Sequence, residues 1–160
     1  MPIPQLEELI QTVRMGRQRF LYGLDHIPEE RLAWSPSDAA KTPLELAGRC
    51  GGFLDFNAYV IRNRSVPEAS GGLPPAPDSR HAARSVVAAS FTRLEDTIAG
   101  LTEADLQQPV PAPWGDPIPL SRWLWFLPGV VGYFQGQLNY VQLAYGDEDP
   151  HLPPEWGKDV

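Results

Sequence analysis

Cysteine is nearly absent: Cys50 stands alone among 160 residues, so no internal disulfide can form and the chain suits a reducing compartment. No stretch of about 18 uncharged apolar residues occurs, which argues against a membrane-spanning helix. The opening residues, MPIPQLEEL, reach acidic side chains at once and lack the apolar segment of a secretory signal. These features together predict a cytoplasmic protein. Basic residues are few and scattered: 13 Lys and Arg stand against 20 Asp and Glu, for a net charge of -7. Without a cationic cluster such a surface repels a phosphate backbone, so nucleic acid is excluded as a partner. Histidine is scarce too. His26, His81 and His151 are not spaced as a ligand pair on one helix, and all three read as surface side chains. The run Asp147, Glu148, Asp149 and His151 lacks the glycine and the following bidentate acid of a calcium loop, and reads as a solvated tail.

What the chain has in excess is proline, 18 residues of it, gathered between periodic segments where it acts as punctuation. A chain of this length fits one domain and buries roughly two thirds of its unfolded surface. Four helical stripes are legible. Leu6, Leu9, Ile10, Val13, Phe20, Leu21 and Leu24 predict a helix over about 5–24. The sequence LDHIPEERLAWSP then predicts one short turn ending at Trp34. Thr42, Pro43 and Glu45 form the signature of a capping box, opening a second helix over about 43–64. Residues 65–79, rich in proline and glycine, read as a connection long enough to return the chain to its starting end, so that the second and third helices run parallel. Asp78 or Ser79 caps a third helix over about 79–101. The segment TEADLQQPVPAP reads as another short capped helix, and Pro119 opens the fourth helix, 119–145, ahead of a polar tail, 146–160, in which Trp156 is a candidate anchor.

The fourth helix organises the rest. Leu120, Leu124, Leu127, Val131, Phe134, Leu138, Val141 and Tyr145 recur at helical spacing. A second stripe, Trp123, Phe126, Val130, Tyr133, Gln137, Tyr140 and Ala144, is also mainly apolar, which predicts a wide buried face. Pro128 removes a backbone donor and predicts a kink or short break within a turn of Val130. Gly129, Gly132 and Gly136 line a third face with Trp125, where they permit close approach of another backbone, inside the bundle or across a dimer seam. The order of helix, capped turn and helix recurs weakly in the two halves of the chain. The expected class is all-α, a four-helix bundle with one long crossover between its second and third long helices.

In the pieces IPEERLAWSP, TPLELAGR and YFQGQLNYVQLAYGD the chain resembles the DinB/YfiT-like family of four-helix bundles, in order and over nearly its whole length. The resemblance implies an up-down-down-up bundle, frequent dimerisation and, in many members, a divalent metal held by three histidines. It also implies that some members are thiol-dependent transferases or isomerases using small cellular thiols such as bacillithiol or mycothiol. Helix four of the family typically reads His-x-x-x-His-x-Gly-Gln. Counting back from Gly136 and Gln137, those two histidine positions fall on Val130 and Phe134, and the helix-two histidine falls on Arg49.

Val130 and Phe134 offer no lone pair, and Arg49 carries a permanent positive charge that repels a divalent ion. The expectation is therefore a domain with no metal and no cofactor, in which a buried aromatic contributes about 2 kcal/mol to packing instead. Arg49 admits two readings: an anion-gripping residue in a pocket, or an arginine whose stem covers apolar surface while its head pairs with Asp55 or Glu45. Cys50 is either a structural thiol or a nucleophile activated by its cationic neighbour. The candidate pocket lies between helices two and four, around Arg49, Cys50, Trp123, Val130, Tyr133, Phe134 and Gln137. The function read from this is a module, homodimeric, that binds a small anionic or thiol ligand or a protein partner. The alternative is a thiol-dependent S-transferase or isomerase working without the metal.

Overall fold

The computed structural model describes residues 3–68 and 74–157. Four long helices carry the fold: α1 (Pro4–His26), α2 (Pro43–Asn63), α3 (Arg80–Ala99) and α6 (Leu127–Ala144). Shorter pieces join them. They are a 3-10 turn (Glu29–Arg31), α4 (Glu103–Leu106), the strands β1 (Pro109–Ala112) and β2 (Gly115–Pro119), and α5 (Leu120–Leu124). The starts are set chemically. Thr42 Oγ1 accepts from the Glu45 N–H while the Glu45 carboxylate accepts from the Thr42 N–H at 2.8 Å. Ser79 caps α3 through the Ala82 N–H, and Thr102 and Asp105 close a second capping box at α4. Each cap satisfies backbone donors that a helix start leaves without partners.

Residue contacts give the direction of each helix. Gly16 packs on Val131 and Gly23 on Leu138, so α1 and α6 run parallel. Arg14 pairs with Glu95 while Arg84 pairs with Asp25, so α1 and α3 run antiparallel. Asp55 meets Arg93, and Arg62 meets Thr97, so α2 and α3 run parallel. The bundle is thus up-down-down-up, as the family resemblance implies. The described end of the crossover lies along α2, where Gly48 and Gly52 leave room for Pro77 and Pro74. Phe20, Leu24, Leu54, Ile61, Phe91, Leu94, Ile98 and Leu138 fill the centre, all buried. The two halves of the chain also repeat one contact: the Leu44 N–H donates to the Leu32 carbonyl as the Leu120 N–H does to that of Gln108.

Three expectations need correction. The prolines after α4 do not only stop a helix. They flank an antiparallel hairpin in which Pro109 faces Pro119 and Val110 faces Ile118. A two-stranded ribbon is all edge, so residues without an N–H are tolerated there, and Val110 and Ile118 are buried. The fourth helix is not continuous. It breaks at Trp125 and Phe126, because Pro128 cannot donate to the Leu124 carbonyl; the break falls where Pro128 predicts it. Finally, the second apolar stripe is mostly outside. Phe126 is 46% exposed, Tyr133 64% and Tyr140 60%, and Trp125, expected at a close contact, is 85% exposed.

Candidate functional site

Helices α2 and α6 meet antiparallel along a seam of aromatic rings. Phe53 and Phe134 lie 6.1 Å apart, Phe53 and Phe56 6.0 Å, and Tyr133 stands edge-on to Phe134 at 5.4 Å. At the far end Trp123 is buried, its Nε1–H donating to Asn57 Oδ1 at 3.1 Å, and Trp114 at the hairpin turn stacks over it. Asn57 is itself fixed by donating from Nδ2 to the Phe53 carbonyl at 2.7 Å. Ring-on-ring contacts of this kind pack the seam.

Against this frame the seven sequence-derived residues separate. Trp123 and Phe134 are buried in the seam, Val130 and Gln137 are half-buried, and Tyr133 faces outward. Cys50 lies fully inside the bundle, and burial pushes its thiol up to about 12. A thiol so placed is neither ionised nor accessible. Arg49 is half-buried on α2, one turn before Phe53, and makes no hydrogen bond or ion pair among the described residues. Of the two acids expected to hold it, Asp55 is engaged elsewhere, and Glu45 feels the Arg49 charge without bonding to it. Asp55 accepts two hydrogen bonds of 2.8 Å from Arg93 and one from Ser90. Glu45 is committed to the cap, and the Thr42 N–H holds its carboxyl below the usual value. At the three positions where the resemblance implies histidines, this chain presents a cation, an isopropyl group and a phenyl ring packed on Phe53. That donor set does not fit a divalent ion, and no group of three or more His, Cys, Asp or Glu able to hold one occurs among the described residues.

Two features were missed in the sequence. One is a cavity of about 630 Å³ at the α5–α6 break, bounded by Leu6, Leu9 and Thr12 of α1 and by Leu124, Trp125, Pro128 and Gly129; none of the seven residues lines it. The other is the tail, which is docked along α1. Arg19 donates to the His151 carbonyl, His151 stacks on His26 at 4.3 Å and bonds Asp147, and Trp156 Nε1–H donates to the Met15 carbonyl. Of these contacts the sequence named Trp156 as the candidate anchor, an apolar ring in a polar segment, and Trp156 does anchor the tail.

A mainly helical up-down-down-up bundle with a long crossover is the architecture that the DinB/YfiT resemblance implies. A sequence model of the DinB superfamily matches residues 12–129, and the chain belongs to that superfamily. Its fold is similar to that of a DinB-like protein, YjoA, from Bacillus subtilis, with a TM-score of 0.70 at 12% identity, over 91% of this chain and 96% of that one. It is also similar to a conserved protein from Enterococcus faecalis, with a TM-score of 0.71 at 16% identity, over 91% and 99%. No curated protein matches the chain. No helix among the described residues is long and apolar enough to cross a membrane.

Proposed function

We propose that this DinB-superfamily protein is a metal-independent, cytoplasmic interaction module that works as a homodimer through the outer face of α6. One observation carries the reading. The 18 residues of α6 include no charged side chain, yet Gly129, Gly132, Tyr133, Gly136, Tyr140 and Leu143 face outward and are exposed. A contiguous neutral face with exposed tyrosines and leucine is the kind of surface that proteins bury against a partner. Chains carrying a charge of -7 each repel one another, and an uncharged face is where two copies meet with least opposition. Three glycines inside a helix cost roughly 3 kcal/mol relative to alanine. Among the described residues, no atom outside the helix's own nearby backbone lies within 4 Å of where their side chains would be, so no contact there explains them.

The same reading gives the seam a subordinate role. The guanidinium of Arg49, which makes no hydrogen bond or ion pair among the described residues and stands one turn before exposed Phe53, is suited to hold a small carboxylate or phosphate at the rim of the α2–α6 seam. An enzyme using Cys50 is disfavoured by the burial of that thiol. Sedimentation velocity tests the main statement. At about 10 μM, a concentration that populates a micromolar complex, the chain of 17.7 kDa should sediment as a dimer, and Y140E as a monomer with unchanged helical circular dichroism. A monomeric wild type with intact fold would overturn it.

A further inference from the structure

The geometry points to one arrangement of the two copies: α6 packs antiparallel on α6 about a two-fold axis at Gly136, and Leu143 of each copy enters the cavity beside Gly129 of the other. This rests on the homodimer reading above and goes further by assigning its register and the occupant of the cavity.

A two-fold axis crossing the contact at Gly136 sets each residue opposite the one equally far on the other side of 136. Tyr140 then faces the partner's Gly132, and Leu143 the partner's Gly129. Each large exposed side chain meets a position where a side chain is missing, and the symmetry makes both matches twice. A parallel pairing would set tyrosine on tyrosine and leave glycine opposite glycine, with voids between, which close packing disfavours. The antiparallel choice also places opposite ends of the helix dipoles together. Charge agrees. Arg122 is the only charged residue from Pro119 to Tyr145 and is exposed, and the reversal brings the partner's Asp147, Glu148 and Asp149 to that same end.

The cavity lies where this axis requires it. Under such a rotation the α1 side of one copy meets the α1 side of the other. Gln135, Asn139 and Leu143 form one i, i+4 ridge that starts beside Gly23 of α1 and climbs outward, so Leu143 leans to the α1 side of the exposed face. The partner's Leu143 thus arrives on the α1 side of Gly129, over a pocket walled by Leu6, Leu9, Leu124, Trp125 and Pro128. An isobutyl group that is 58% exposed in one chain is covered there by mainly apolar walls, with Glu8, Thr12 and Ser121 among the lining residues.

Cysteine cross-linking under mild oxidation reads the register. Cys50 is buried and stays silent. G136C should cross-link to itself, because the two copies of a residue on the axis approach to disulfide distance. G129C and L143C should each fail alone, since their symmetry mates stand about 21 Å apart along the helix, yet form a disulfide when the two variants are mixed. L143D should weaken the dimer at least tenfold in sedimentation. A wild-type dimer in which G136C does not cross-link, or in which L143D has no effect, overturns this register while leaving dimerisation intact. A wild-type monomer overturns the homodimer reading itself.

Discussion

Replacing Gly136 by alanine separates what α6 needs as a helix from what it needs as a surface. Gly136 has an ordinary helical backbone, since the positive-φ glycines among the described residues are Gly115, Gly146 and Gly157. A methyl there would meet nothing within 4 Å. In the isolated chain G136A should therefore gain the intrinsic difference between the two residues, about 1 kcal/mol, which raises Tm by about 3 °C for a domain of this size. In the dimer the same methyl lies where two backbones approach, and inserting a group into a packed contact costs about 1 to 3 kcal/mol, a weakening of about tenfold or more. Urea unfolding at concentrations well below and well above dimer dissociation measures both. The variant should be the more stable protein when dilute and should lose that advantage when concentrated. A gain of equal size at every concentration, with unchanged sedimentation, would refute the reasoning.

Other substitutions probe the interior and the caps. Phe134 is 5% exposed and packed on Phe53, so F134A should cost about 3 to 5 kcal/mol in urea unfolding; a loss under about 1 kcal/mol would show that the seam is not packed core. With the Cys50 thiol pushed up to about 12, only about one molecule in ten thousand is ionised at pH 8. A thiol reagent should leave the native protein unmodified and label it once denaturant is added, and rapid native labelling would reopen the enzyme reading. The hydrogen bond from the Thr42 N–H holds the Glu45 carboxyl below its ordinary value of 4.5. Its stabilisation is therefore complete above that pH and is lost as pH falls from there through the lowered folded value. E45Q should unfold more easily than wild type at pH 7, with the gap closing towards pH 3. A gap that does not depend on pH would sink that assignment.

Where local chemistry decides, the sequence was legible. Thr42-Pro43-x-Glu45 specifies a helix start whatever surrounds it, and α2 begins there. Pro128 forbids one hydrogen bond, and the break follows. The hairpin was illegible because its prolines carry two meanings, helix stop and tolerated edge residue, and only the burial of Val110 and Ile118 against the bundle chooses between them. His26 and His151 stand 125 positions apart in the chain, and no local pattern announces their stacking. That Arg49 does not pair with Asp55 was illegible for a related reason. Asp55 lies near it in sequence, but α3 supplies a better partner to that acid in Arg93, which grips it with two bonds.

The wide apolar face of the fourth helix is the most instructive difference. Periodicity reports that a stripe is apolar, and it does not say which molecule covers it. Leu127, Val131, Phe134, Leu138 and Val141 are buried by the chain's own helices, which is what a hydrophobic stripe is for. Tyr133, Tyr140 and Leu143 carry the same signal and remain exposed. An exposed face selected only for solubility accumulates charge, and α1 and α3 do carry Asp, Glu and Arg on theirs. The outer face of α6 has none over five turns, and keeps instead tyrosine and leucine alternating with glycine. A stripe that is apolar, notched and uncovered by the described residues of its own chain is accounted for when the cover is a second copy carrying the same notches in reverse order.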